Sequence, residues 1–291
     1  MRGGEGSCLE SPTLGATVRQ TSVDGFRLTE SVHRSAVRVP EHAHRFPTIY
    51  FTLSGSFLEI SGGRELSCEP RSVIFRPAAQ VHADRIGEGG VRFFILELGL
   101  PELCGQVPEW PQSTSVSIGL LSARALSLFQ AFRRGDSSLA LRADELCLEF
   151  VREARLRPPD GASVSARRVR QAAEYIQANF RRPLRVEEIA RVAGVHPVYL
   201  ARLFRKLHGC SIAEYIRARR IADGVRRLLR GDEPIAEIAL SNGFSDQSHF
   251  TREFRREAGH TPSRFREASR RLDAIAAGPG AKGGGLAAPA V

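Results

Sequence analysis

Arg202 and Arg252 stand at matching places in two segments that repeat each other. An arginine fork is the side chain best shaped to grip guanine O6 and N7 with two parallel hydrogen bonds. The first segment, Val186–Gly209, reads VEEIARVAGVHPVYLARLFRKLHG; the second, Ile235–Gly259, reads IAEIALSNGFSDQSHFTREFRREAG. In register, Ile189 matches Ile238, Ala190 matches Ala239 and Gly194 matches Gly243. After one inserted residue, Leu200 matches Phe250, Arg202 matches Arg252, Phe204 matches Phe254 and Gly209 matches Gly259. Val198, Ala201 and Arg205 accompany Arg202, and Gln247 and Ser248 accompany Arg252. Small apolar groups can touch thymine methyls, and glutamine pairs naturally with adenine. A different chemistry is available to His42, His44 and His82. His42 and His44 alternate with Ala43, so on a strand both imidazoles face one side, as a metal ion requires. The same three residues also suit a pocket for a small, anionic effector, or a purely structural role.

The elements that must carry these side chains follow from periodicity. Each repeat is a short helix, a glycine turn and a longer helix rich in arginine, which is the pattern of a helix-turn-helix. Two copies about fifty residues apart can read successive major grooves on one face of DNA, since groove centres recur every ~34 Å. In the first copy, Val186–Ala193 is the positioning helix, Gly194 the tight turn, His196 the N-cap and Pro197 the first helical residue. Leu200, Leu203, Phe204 and Leu207 form its buried stripe, so Val198, Ala201, Arg202 and Arg205 face outward. In the second, Ile235–Asn242 is the positioning helix, Gly243-Phe244 the turn and Ser245 or Asp246 the N-cap. Phe250, Phe254 and Ala258 are buried, which turns Gln247, Ser248, Thr251 and Arg252 outward. A helix built on Val169, Ala172, Ala173 and Ile176 precedes the pair, and Ile212–Leu229 links the two copies.

Charge follows the same division. Residues 1–164 carry 18 arginines against 19 acidic residues, whereas residues 165–291 carry 24 basic against 13 acidic ones. The whole excess of +10 therefore belongs to one half, the electrostatic footprint of a nucleic-acid-binding domain beside a neutral one. Cys8, Cys68, Cys104, Cys147 and Cys210 share no close spacing, which indicates neither a thiolate zinc site nor a disulfide framework. The N-terminal residues lack the apolar run of a signal peptide and no run approaches ~18 apolar residues, so the expectation is a cytoplasmic chain without a membrane partner.

The first half reads as short strands: Phe26–His33, Ala36–Val39, Thr48–Leu53, Ser56–Ile60, Val73–Phe75 and Val91–Leu98, punctuated by glycine and proline. Helical spacing then appears in Leu120, Leu121, Ala125, Leu128, Phe129 and Phe132, and again in Leu139, Ala143, Leu146, Cys147, Phe150 and Val151. The expected organisation is a disordered N-terminus (1–15), a sensor barrel (16–118), a helical pair that dimerises (119–157), a linker (158–165), a DNA-binding domain (166–271) and a disordered tail (272–291).

Residues 165–270 resemble the DNA-binding domain of the AraC/XylS family of transcriptional regulators. The resemblance is carried by Ile189-Ala190…Gly194, Leu200…Leu203-Phe204…Gly209, Ile235-Ala236-Glu237-Ile238-Ala239…Gly243-Phe244, Phe250…Phe254-Arg255…Gly259 and the closing Thr261-Pro262-Ser263-Arg264-Phe265-Arg266. Pro40-Glu-His-Ala-His44 and Pro77-Ala-Ala-Gln-Val-His82 resemble the two motifs of the cupin barrel, in which three histidines and a glutamate bind one ion. Here no glutamate follows His44 before Tyr50, and Ala79 replaces the usual glycine. Together the resemblances imply an α+β chain: an N-terminal cupin-like β-barrel with a helical pair, then an all-α double helix-turn-helix. They imply a non-enzymatic transcriptional regulator that senses a small molecule or metal, with double-stranded promoter DNA, RNA polymerase and a second copy of the chain as partners. The alternative is a metal-dependent cupin enzyme fused to a DNA-binding domain.

Overall fold

The computed structural model describes residues 15–33, 36–99, 115–117, 119–155 and 163–276. Most of the expected disordered termini, the segment around Trp110 and most of the expected linker lie outside the described residues, as do Cys8 and Cys104. The chain divides into two compact units, Met1–Gln106 with Pro111–Ser117 and Ser269–Val291, and Val107–Trp110 with Ile118–Ala268.

The strands of the first unit are β1 (Ala16–Val23), β2 (Phe26–His33), β3 (Val37–His42), β4 (Thr48–Ser61), β5 (Arg64–Cys68), β6 (Val73–Arg76), β7 (His82–Leu98) and β8 (Ser115–Ser117). Every pairing among them is antiparallel, in the order β1-β2-β7-β4-β6-β8, with β3 added on β7 and β5 on β4. Two long strands organise this sheet. β4 pairs β6 along its first half and β5 along its second, and β7 pairs β3 through His82–Ile86 and β2 through Val91–Leu98. The change of partner falls where Gly55 meets Gly90. Both have left-handed φ, and a Cβ on Gly55 would stand 2.1 Å from the Gly90 carbonyl oxygen. Only glycine tolerates that approach, and the register shifts there as in a β-bulge. The two strands expected at Thr48–Leu53 and Ser56–Ile60 are therefore one strand with a bulge. Tyr50, Phe57, Ile74, Ile86, Phe93 and Ile95 belong to the buried cluster inside.

The helices among the described residues are α1 (Leu120–Arg134), α2 (Leu139–Arg155), α3 (Val164–Asn179), α4 (Val186–Ala193), α5 (Pro197–His208), α6 (Ile212–Arg230), α7 (Ile235–Ser241), α8 (Gln247–Ala258) and α9 (Pro262–Ala276). Helices α1 and α2 pack together after Gly135 closes α1 in a left-handed cap. Within the second unit α1 also packs on α6 and α8, and α2 on α5. Leu146 is consequently 1% exposed inside the chain, while Leu141 and Leu148 stand 63% and 68% exposed, seven residues apart on α2. The first helix-turn-helix closes over Val169, Ala172, Ile176, Ile189, Ala190, Leu200 and Phe204. In the second, Phe254 lies between Phe250 and Phe265, with ring centroids 5.4 and 5.7 Å away. Each fully buried phenylalanine contributes roughly 1.5–3 kcal/mol of transfer free energy. A capping box between Ser211 and Glu214 starts α6, the helix that joins the two cores.

Candidate functional site

The two outward faces are set by what each helix buries and by how it starts. α5 begins at Pro197, where a missing N–H costs nothing, and the Val198 N–H donates to His196 Nδ1 at 3.4 Å. α8 begins at Asp246, whose Oδ1 accepts the His249 N–H at 2.8 Å. That bond and one from the Ser245 hydroxyl hold the Asp246 carboxyl below the usual range. Gly194 and Gly243 have φ of 64° and 79°, the left-handed turn that glycine makes without strain. With Leu200 and Phe204 inward, Val198, Ala201, Arg202 and Arg205 are exposed on α5. With Phe250, Phe254 and Ala258 inward, Gln247, Ser248 and Arg252 are exposed on α8, while Thr251, expected outside, is half-buried.

Among the described residues, the side chains of Arg202, Arg205 and Arg252 have no hydrogen bond or ion pair. Their neighbour Arg256 differs, being tied to Glu253 and Glu257. An exposed, unpaired guanidinium keeps all five donors for a partner. Tyr199 is also exposed on α5, beside Val198. Sequence reasoning passed over it because an aromatic residue normally signals core; its place one step before the buried Leu200 was the available clue.

The structure brings His42, His44 and His82 together, with one nitrogen from each lying within 4.8 Å of the others. The local route differs from the alternating strand expected. β3 ends at His42, His44 follows outside the strand, and His82 opens β7 directly opposite His42. A carbonyl oxygen can only accept, so the 3.0 Å contacts of His42 Nδ1 with Pro40 O and of His82 Nδ1 with Gln80 O place a proton on each Nδ1. Each Nε2 is left as a lone pair, and that of His82 is buried without a hydrogen-bond partner. His44 Nε2 lies 3.1 Å from the Tyr50 hydroxyl. Burial, with help from Arg76, pushes His44 down to about 3 and His82 down to about 2, so both imidazoles are neutral. Neutral rings anchored through the opposite nitrogen are what a divalent ion takes from histidine. The three residues fit an ion. Among the described residues no carboxylate or thiol joins them.

Beside the histidines lies an ion set that sequence reasoning missed. Arg76, fully buried, donates to Glu59 at 3.1 Å and to Asp84 at 2.8 Å, and its guanidinium carbon stands 4.1 Å from the Tyr50 ring centroid. Burial alone would weaken its charge, but Asp84 and Glu59 raise its proton affinity above the ordinary value. Burial pushes the Tyr50 hydroxyl up to about 12. The alternation of His82, Asp84 and Ile86, and of Phe57, Glu59 and Ser61, was the signal that placed two acids on inward faces.

A family model described as a helix-turn-helix domain matches residues 189–268. The chain is 38% identical over 84 residues to the probable transcription factor PqrA of Proteus vulgaris, covering 29% of this chain and 69% of that protein. It is 37% identical over 93 residues to the regulatory protein SoxS of Salmonella typhimurium, covering 32% and 87%. With the bifunctional transcriptional activator/DNA repair enzyme AdaA of Bacillus subtilis it shares 32% identity over 97 residues, covering 33% of this chain and 46% of that protein. The chain thus spans more than two thirds of two of these relatives and less than half of the third.

Proposed function

Because this chain belongs to the AraC/XylS family of DNA-binding transcriptional regulators, we propose that α5 and α8 enter successive major grooves of a promoter and that the barrel controls that binding. Val198, Ala201, Arg202 and Arg205 read one groove, and Gln247, Ser248 and Arg252 the next. The observation that carries this reading is the pair of unpartnered, exposed arginines at equivalent places on the two helices. Arg76 and Arg220, which tie parts of the fold together, donate to acceptors around them; these do not.

In the barrel, His42, His44 and His82 would hold a divalent ion, which would supply open positions for a small-molecule effector. His42 is only half-buried, so the set is reachable from solvent. Two of the relatives matched are a probable transcription factor and a regulatory protein, which favours a sensor over a metal enzyme. The chain acts in the cytoplasm, where DNA is found, and no helix of the described residues is long and apolar enough to cross a membrane. The exposed pair Leu141 and Leu148 offers a helix face for a second copy of the chain. RNA polymerase is the partner that a promoter-bound regulator meets.

One preparation tests these points. Full-length protein is analysed for bound metal and then used to select binding sites from random DNA, with the number of protomers per duplex read by sedimentation. The expected result is near-stoichiometric metal and enriched sites holding two boxes about 10–10.5 base pairs apart per protomer, with two protomers on paired sites. Enrichment of a single box contradicts the two-groove reading. Metal near zero in DNA-binding protein contradicts the ion, and a single protomer on every site contradicts the dimer.

A further inference from the structure

The three segments that must keep the two recognition helices in fixed relation meet at one side chain on α6. Arg220 Nε donates to the Phe180 carbonyl at 2.7 Å, Nη2 to the Arg182 carbonyl at 3.1 Å and Nη1 to the Gly243 carbonyl at 2.6 Å. Phe180 and Arg182 belong to the turn that leads from α3 into the first helix-turn-helix. Gly243 is the turn of the second. All three guanidinium nitrogens are used, and each bond goes to backbone rather than to a movable side chain.

The surroundings are built to seat that group. A Cβ on Gly243 would stand 2.4 Å from the Arg181 carbonyl oxygen and 3.0 Å from the Arg220 guanidinium carbon, so the turn can close on Arg220 only as glycine. One helical turn further along α6, Asp223 pairs with Arg181 at 3.1 Å. With the Asn242 amide oriented to satisfy its surroundings, its nitrogen donates to Asp223 at 2.6 Å and its oxygen accepts the Gly224 N–H at 3.1 Å. Gly224 in turn lets the Phe250 ring of α8 come so close that a Cβ would meet it at 2.9 Å. The first motif has a smaller counterpart: Arg168 donates to the Ala193 carbonyl at 3.1 Å, and a Cβ on Gly194 would meet its Nη1 at 2.6 Å. Arg168 joins elements of one motif. Arg220 joins the two motifs to each other.

We propose that Arg220 is the positioning residue that fixes the spacing between the two recognition helices, and so makes the distance between the two DNA boxes a determinant of specificity. The proposal rests on the two-groove reading above. One base pair added between the boxes moves the second by about 3.4 Å along the axis and turns it by about a tenth of a turn. A rigid pair of helices cannot follow that displacement; a pair released from its strap can. Lysine cannot replace the fork, because a single ammonium does not span three carbonyls.

The test uses full-length wild type, Arg220→Gln and Arg220→Lys on duplexes carrying the selected boxes at their natural spacing, one base pair shorter and one longer. A further duplex carries one intact box and one scrambled. Wild type should lose about tenfold at either altered spacing, comparable to one mismatched contact. Both variants should keep wild-type affinity for the single box within about twofold and show little difference between spacings. Circular dichroism establishes that they are folded, and Arg220→Lys keeps the buried stem should Arg220→Gln unfold. A folded variant with the wild-type spacing profile, whether tight or uniformly weakened, overturns the proposal. A wild type indifferent to spacing overturns the two-groove reading beneath it.

Discussion

Inside the barrel, Arg76 is enclosed between Glu59 and Asp84 with the Tyr50 ring against it; on α5 and α8, Arg202 and Arg252 stand in solvent with no acceptor among the described residues. The same side chain serves opposite ends, and the difference lies in who supplies the counter-charge. A buried cation left without an anion is strongly unfavourable, so the chain carries both acids for Arg76 on neighbouring strands. An exposed cation is stable in water, so the recognition helices leave theirs for phosphate or guanine. Arg220 stands between the extremes: half-buried, lowered in proton affinity by that burial, and satisfied by carbonyls alone. A guanidinium in this chain is read by its acceptors.

The sharpest way to break the comparison is to remove the buried cation. Arg76→Met leaves Glu59 and Asp84 facing each other in an apolar interior and should cost about 3–5 kcal/mol. Urea unfolding monitored through the barrel reads this directly. A loss below about 1 kcal/mol would mean that the carboxylates find other partners and that the set is not a closed ion cluster.

Acid gives a smaller and graded effect. His44 and His82 titrate near 6.5 when unfolded but near 3 and 2 when folded, because burial opposes their charge. The unfolded chain therefore takes up protons first as the pH falls. Stability is full above about pH 6.5 and declines below it, by up to about 1.4 kcal/mol per pH unit for each histidine. His33 and His260 shift the same way, again through burial. Unfolding midpoints of the metal-free protein at pH 7.5 and 5.5 should differ accordingly. Equal midpoints would show that the histidines are protonated alike in both states and are not the neutral set described.

The contrast between the regions extends to what each showed before it folded. The double motif was legible almost residue by residue. Gly194 and Gly243 make the turns expected, Pro197 opens its helix, and Leu200, Phe204, Phe250, Phe254 and Ala258 are buried. Helical order is local, so spacing of three and four decides the faces. The barrel was legible as strands but not as a register. Gly55 reads as a turn in sequence; in the structure it is a bulge against Gly90, a residue 35 positions away whose pairing no local pattern announces. β1 and β5 escaped because they are mostly exposed and poor in apolar alternation. The triad of Arg76, Glu59 and Asp84 needs three strands brought together, and Arg220 needs two helix-turn-helix modules. His42, His44 and His82 were nameable from their motifs, yet His44 reaches the others from beyond the end of β3.

The central claim is that the unpartnered arginines read bases while the paired ones hold the fold. Quantitative binding of wild type, Arg202→Ala and Arg252→Ala to the selected site and to random DNA, with every base of the site varied in turn, tests it most directly. The account predicts that each substitution weakens the selected site by about 1–3 kcal/mol, about 5- to 150-fold, and leaves random DNA nearly unchanged. Base preference should relax at one position for each variant, the two positions lying about one helical turn apart, with unfolding midpoints as in wild type. Equal weakening on selected and random DNA, with no position relaxed, would make both arginines phosphate contacts and contradict the account.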